Sequence, residues 1–136
     1  MVISKKAMFN KNRQMTEPTS DSESKAWLSV EHAAAIESDA ALRELLAPVH
    51  RWLNTLSVRN HSEHTLVAYF AGLNQLALFL RGKRLTWTRC DKRQLAQHIS
   101  QRLDEDKLAL ASVQQELSAI RHFYGWLIEE GLARIN

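Results

Sequence analysis

A chain of 136 residues is the size of one compact domain, with enough length to bury a core but too little for a ligand-binding enzyme domain plus a second module. With 45% hydrophobic residues, four Gly and two Pro, the composition argues against a turn-rich sandwich or barrel and for helices. One cysteine, Cys90, excludes an internal disulfide, and no apolar run approaches the length of a membrane span.

These features, with no signal-peptide core near the N-terminus, suggest a reducing, cytoplasmic setting. The net charge of +3 is unevenly spread. From Ala41 onward there are 13 Lys and Arg against 9 Asp and Glu, whereas the first forty residues carry 5 against 6. The excess gathers in "RGKRLTWTRCDKR", Arg81 to Arg93, where six basic residues accompany one acid. Such a segment suits phosphates, but a solvated loop is an equal reading.

In chain order, residues 1–40 are expected to form a flexible arm with at most one short helix, and 41–136 a helical domain. The arm is polar and aperiodic to about residue 24. "KAWLSVEHAAAIESD" could then put Trp27, Leu28, Ala34 and Ala35 on one side of a short helix. From Ala41, the residues Leu42, Leu45, Leu46, Val49, Leu53 and Leu56 keep helical spacing, and Pro48 is expected to open a new helix in its first turn. The next helix begins at a Ser62 cap, buries Leu66, Tyr69, Phe70, Leu73, Ala77 and Leu80, and is expected to stop at Gly82. "DKRQLAQHISQRL" follows, with Asp91 and Gln94 in capping register and Leu95, Ile99 and Leu103 inward. The last helix, Ser112 to Glu130, buries Val113, Leu117, Ile120, Tyr124, Leu127 and Ile128 and closes at Gly131.

The outer faces of two of these helices are short or neutral. One carries His64, Ala68, Ala71 and Gln75 beside Gly72, and the other Gln115, Ser118, Ala119 and His122, with Arg121 at the border. Either face alone is better read as close helix packing. Together with the basic segment they favour nucleic acid, because a helix enters the major groove only where bulky side chains do not hold it off. Lys83 and Arg84 would then grip the backbone.

Enzyme readings are weaker. Tyr69 and Tyr124 lie on apolar stripes and read as core residues with satisfied hydroxyls. His61 and His64 lack the further ligands a metal needs. Asp104, Glu105 and Asp106 form a charged turn, and Trp87 fits either core or contact. No catalytic residue, metal or cofactor is expected.

"LSVRNHSEHTLVAYFAGLNQLALFL" followed by "ASVQQELSAIRHFYGWLIEEG" resembles the N-terminal, SAM-like core-binding domain of tyrosine recombinases, or phage-type integrases, nearest to the XerC branch. The resemblance rests on Leu56 to Val58, on Ser62, Thr65, Leu66 and Tyr69, and on Leu117 to Tyr124. It covers about two thirds of the chain, from Pro48 onward. It implies an all-α fold of four helices in two crossed hairpins, whose second and fourth helices face the major groove of a double-stranded recombination site. His64, Thr65 and Ala68 would approach DNA from the second helix, and Ser112, Gln115, Ser118, Arg121 and His122 from the fourth.

The chain also departs from the pattern. Gly72 stands where the Xer group commonly has an acid, Glu116 where a basic residue is common, and Phe70 and Ala71 where a basic pair is frequent. In that family the nucleophilic Tyr and its Arg/His/Lys partners belong to a separate C-terminal domain, and "LARIN" falls where the linker to it would begin. The expectation is therefore a non-catalytic DNA-binding domain, monomeric alone. Its parent would join XerD-like subunits in a tetramer on DNA, exchange strands through a phosphotyrosine without cofactor, and resolve chromosome dimers at the bacterial nucleoid. The alternative is a helical protein-interaction domain without DNA binding.

Overall fold

The computed structural model describes residues 25–134. Five helices, α1 (Val30–Glu37), α2 (Ala40–Val58), α3 (Glu63–Lys83), α4 (Lys92–Asp104) and α5 (Leu110–Glu129), account for most of them, with a 3₁₀ turn at Trp87–Arg89 and no strand among the described residues. The fold is all-α, as the sequence implies.

Four helix starts are fixed by local chemistry. The side chains of Ser29, Asp39, Ser62 and Asp91 accept the backbone N–H three residues on and satisfy donors that have no partner within the helix. α5 follows Ala109 without such a cap and begins two residues before Ser112. Gly131 adopts φ +74° as expected, and the Leu132 N–H reaches back to the Leu127 carbonyl at 2.8 Å.

Two further expected boundaries move. Gly82 does not end α3; the left-handed residue is Arg84, at φ 59°, with the Leu85 N–H on the Leu80 carbonyl at 2.8 Å. The hydrogen bonds of the turn and the burial of Leu80 outweigh the Cβ penalty at Arg84. Pro48 does not open a new helix but lies inside α2. It removes one N–H from the ladder, yet Leu45, Leu46, Val49, Trp52 and Leu53 on both sides of it are buried in one core, which holds the helix together across the break.

α2 and α3 form an antiparallel hairpin. Trp52 stacks on Tyr69 at 5.4 Å between ring centroids, His50 on Phe70 at 5.6 Å, and Asp39 at the start of α2 pairs with Arg81 near the end of α3. α4 and α5 form the second hairpin, joined through Arg102 and Glu116. α5 crosses the first hairpin, with Glu116 lying on Gly72 of α3 and Phe123, two turns on, packing against Trp52 of α2.

The core centres on Leu46, Leu53, Phe70, Leu73, Leu76, Leu80 and Phe123, all essentially inaccessible. At ~1.5–3 kcal/mol for each large apolar side chain, this cluster is the main force holding the hairpins together. Trp87 joins it, its Nε1 donating to the Leu45 carbonyl at 2.7 Å and its ring meeting Phe123 edge-on at 4.9 Å. Of the residues expected to align on the short N-terminal helix, Ala34 and Ala35 are exposed. Ile36 is buried instead, together with Trp27, whose Nε1 donates to His50 Nδ1 at 2.9 Å from just before the helix.

Candidate nucleic-acid interface

The α3–α5 crossing brings the two outer faces together. On α3, Gly72 is buried against α5 while Ala68 and Gln75, one turn to either side, are half-buried and Ala71 is exposed. On α5, Ser112 and Ser118 are half-buried, and Gln115, Arg121 and His122 are exposed. His122 also packs on the Tyr69 ring at 6.3 Å, so the run of α5 residues reaches the N-terminal half of α3. Ala119 belongs elsewhere. It is fully buried and sits in the packing seam rather than on an outer face, because a methyl is small enough to be enclosed where the helices cross.

His64 and Thr65 occupy the first turn of α3. His64 is exposed. The Thr65 hydroxyl lies 2.9 Å from that of the capping Ser62, which fixes its position at the helix end. Lys83 and Arg84 lie at the other end of α3, roughly 30 Å from His64 at 1.5 Å per residue. They are therefore a separate patch that flanks the crossing along the helix axis.

Arg84, Arg89, Lys92 and Arg93 are exposed and make no ion pair among the described residues. Arg81 and Lys83 are partly committed, Arg81 to Asp39 and Lys83 to the face of the Phe79 ring at 5.6 Å. Arg121 has no ion-pair partner among the described residues, so its guanidinium is available to an incoming acceptor.

The strongest polar contact at the crossing was not legible in the sequence. Arg102 of α4 grips Glu116 of α5 with both arms of its fork, Nε to Oε1 at 3.0 Å and Nη2 to Oε2 at 2.6 Å, and donates from Nη1 to Asp106 at 2.9 Å. The one available signal was Glu116 itself, an acid on the flank of a buried stripe, which needs a partner if it is to stay charged.

The tyrosines serve the core. The Tyr124 hydroxyl donates to the Trp87 carbonyl at 2.6 Å, and burial, followed by the neighbouring Cys90, pushes its pKa far above the ordinary value. Tyr69 lies flat on Trp52. His61 Nδ1 sits 3.1 Å from the Leu56 carbonyl.

The phage integrase N-terminal SAM-like domain matches residues 49–131. The chain belongs to that family. The match spans the second half of α2 through the end of α5, so it contains the α4–α5 hairpin and the whole α3–α5 crossing. Membership of the integrase SAM-like family makes this the core-binding type of domain found in tyrosine recombinases, whose partners in general are DNA and other recombinase subunits. The integrase match covers the N-terminal domain type alone. Comparisons with curated proteins and with solved structures gave no match. No helix among the described residues is long and apolar enough to cross a membrane.

Proposed function

We propose that this chain is the DNA-clamping domain of a XerC-like tyrosine recombinase, with α3 and α5 as the helices that meet the major groove. The observation that carries the reading is the crossing itself. It juxtaposes two helix faces with small or neutral side chains, the acid at the crossing, Glu116, is held by an arginine, and exposed basic residues flank them. His64, Thr65 and Ala68 contribute from α3. Ser112, Gln115, Ser118, Arg121 and His122 contribute from α5, and Lys83 and Arg84 hold the phosphate backbone. In the parent protein this domain would hold the recombination site while a C-terminal catalytic domain exchanges strands in a tetramer with XerD-like subunits. That work is chromosome dimer resolution at the nucleoid.

Titrating the chain with duplex DNA at several salt concentrations tests the reading. Affinity is expected to fall steeply as salt rises, because phosphate contacts release counterions. Arg121→Ala should cost ~1–3 kcal/mol and relax sequence preference if Arg121 reads a base, or weaken all sequences alike if it holds a phosphate. Binding that ignores salt, or none at any concentration, rules the reading out.

A second reading, a protein-interaction domain, is favoured by one observation. Val67 and Leu78 on α3 are exposed at 43% and 41%, on the same outer side as Ala71. Chemical-shift mapping separates the two. DNA should perturb α3, α5 and the Arg81 to Arg93 segment together, and perturbation there by a protein partner alone would favour the second reading.

A further inference from the structure

Glu116 is the single acid of α5 before Glu129, and it stands next to Gln115 and one turn after Ser112. A bare carboxylate there would repel the phosphates that the neighbouring residues are placed to meet. Two features keep it from doing so. Gly72, lacking a Cβ, lets α5 settle onto α3 at this point; a Cβ would come within 3.2 Å of both Cα and Cγ of Glu116. Arg102 then takes both carboxylate oxygens, and the two side chains are each only 12% exposed. Bidentate geometry of this kind uses the strongest acceptor directions of the carboxylate and leaves little negative charge to face outward.

The arginine that does this lies on the most loosely held of the longer helices. α4 is largely polar, with Leu95, Ile99 and Leu103 half-buried and His98 its one buried residue. The Arg102 fork is thus a main tie between α4 and α5, and its geometry depends on where α4 sits. We propose that Arg102 is a positioning residue for the DNA-facing surface: by holding Glu116 it makes the placement of α4 set the affinity of α3 and α5 for DNA. The inference rests on the DNA reading of that surface. A displacement of α4 uncovers a carboxylate at the crossing and weakens binding without touching any DNA-contacting residue.

The test uses the whole 136-residue chain, fluorescently labelled duplex DNA of mixed sequence, and thermal melting of each variant in parallel. Arg102→Gln is expected to weaken binding about tenfold at low salt, with the gap narrowing as salt screens the freed carboxylate. Adding Glu116→Gln to it should restore affinity to within about twofold of the unaltered chain, and Glu116→Gln alone should bind as well or better. A double variant as weak as Arg102→Gln overturns the inference, because Arg102 would then be contacting DNA itself. So does a tenfold loss in Glu116→Gln with its melting unchanged. If Arg102→Gln does not fold, the Glu116→Gln arm decides by the same criterion. An unaltered chain that fails to bind DNA at any salt concentration overturns the DNA reading first, and is distinguishable because it appears before any variant is compared.

Discussion

Gly72 shows how one missing carbon sets the spacing of two helices. A methyl placed there meets Glu116 backbone and side chain at 3.2–3.3 Å, and neither can yield easily, since the backbone is helical and the side chain is held by Arg102. Alanine in mid-helix gains about 1 kcal/mol of intrinsic propensity over glycine. Overpacking a well-fitted contact costs roughly 1–3 kcal/mol. The second effect wins where the neighbour is fixed, so Gly72→Ala is expected to destabilise the fold by about 1 kcal/mol, measured by chemical denaturation. In a Glu116→Ala background, where the Cγ contact and the Arg102 tie are both gone, the same substitution should become close to neutral. Glycine at this position was visible in the sequence as an adjacent small residue, but its role was not, because the residue it makes room for lies 44 positions further along the chain.

At the scale of the element, periodicity reads a helix well when one face is covered and poorly when two are. The caps at Ser62 and Asp91 and the left-handed Gly131 were legible because each is decided within four residues. The buried positions Phe123 and Ala119 on α5, and Asn74 and Leu76 on α3, fall off the expected stripes because each of these helices is covered from more than one side. His98 is the same case on α4. A polar residue in the outward half of a sequence pattern proves only 2% exposed, with its ring against Phe79 at 5.2 Å. Glu116 of α5 and Arg102 and Asp106 from α4 and the turn after it face His98, but desolvation dominates and lowers its pKa below the ordinary 6.5. The sign follows from linkage. A histidine kept neutral by the fold contributes stability that is fully present above the unfolded value, and that contribution is lost as pH falls through the lower folded value. The stability of the chain is therefore expected to decline as pH drops below about 6.5. His98→Leu, close in volume and unable to take a proton, should remove that part of the decline. If the unfolding free energies of the two proteins fall in parallel between neutral and acid pH, the burial of His98 carries no linkage.

For the molecule as a whole, the match to the integrase family and the physical core do not begin at the same place. The match starts at Val49, in the middle of α2, whereas Trp27, Ile36, Leu42, Leu45 and Leu46 are buried in the same cluster as Leu53, Phe70 and Leu80. Cutting the chain at Val49 would remove those five side chains and expose the surfaces they cover. It would also take away the Leu45 carbonyl that Trp87 bonds and the Asp39 that holds Arg81. At ~1.5–3 kcal/mol for each large apolar side chain, the loss is of the same order as the whole stability of a domain, about 5–15 kcal/mol. A chain beginning at Val49 is thus expected to lose cooperative thermal unfolding and native tryptophan emission, while one beginning at Lys25 keeps both. DNA binding should follow the fold, because Trp52 and Phe123, which pack on each other where α5 meets the first hairpin, and Phe70, which meets the His32 ring, belong to the same buried cluster as the residues before Val49. Retention of a sharp melting transition by the Val49 chain would mean that the two hairpins are sufficient alone, and that Trp27 and Ile36 cover a core already complete without them.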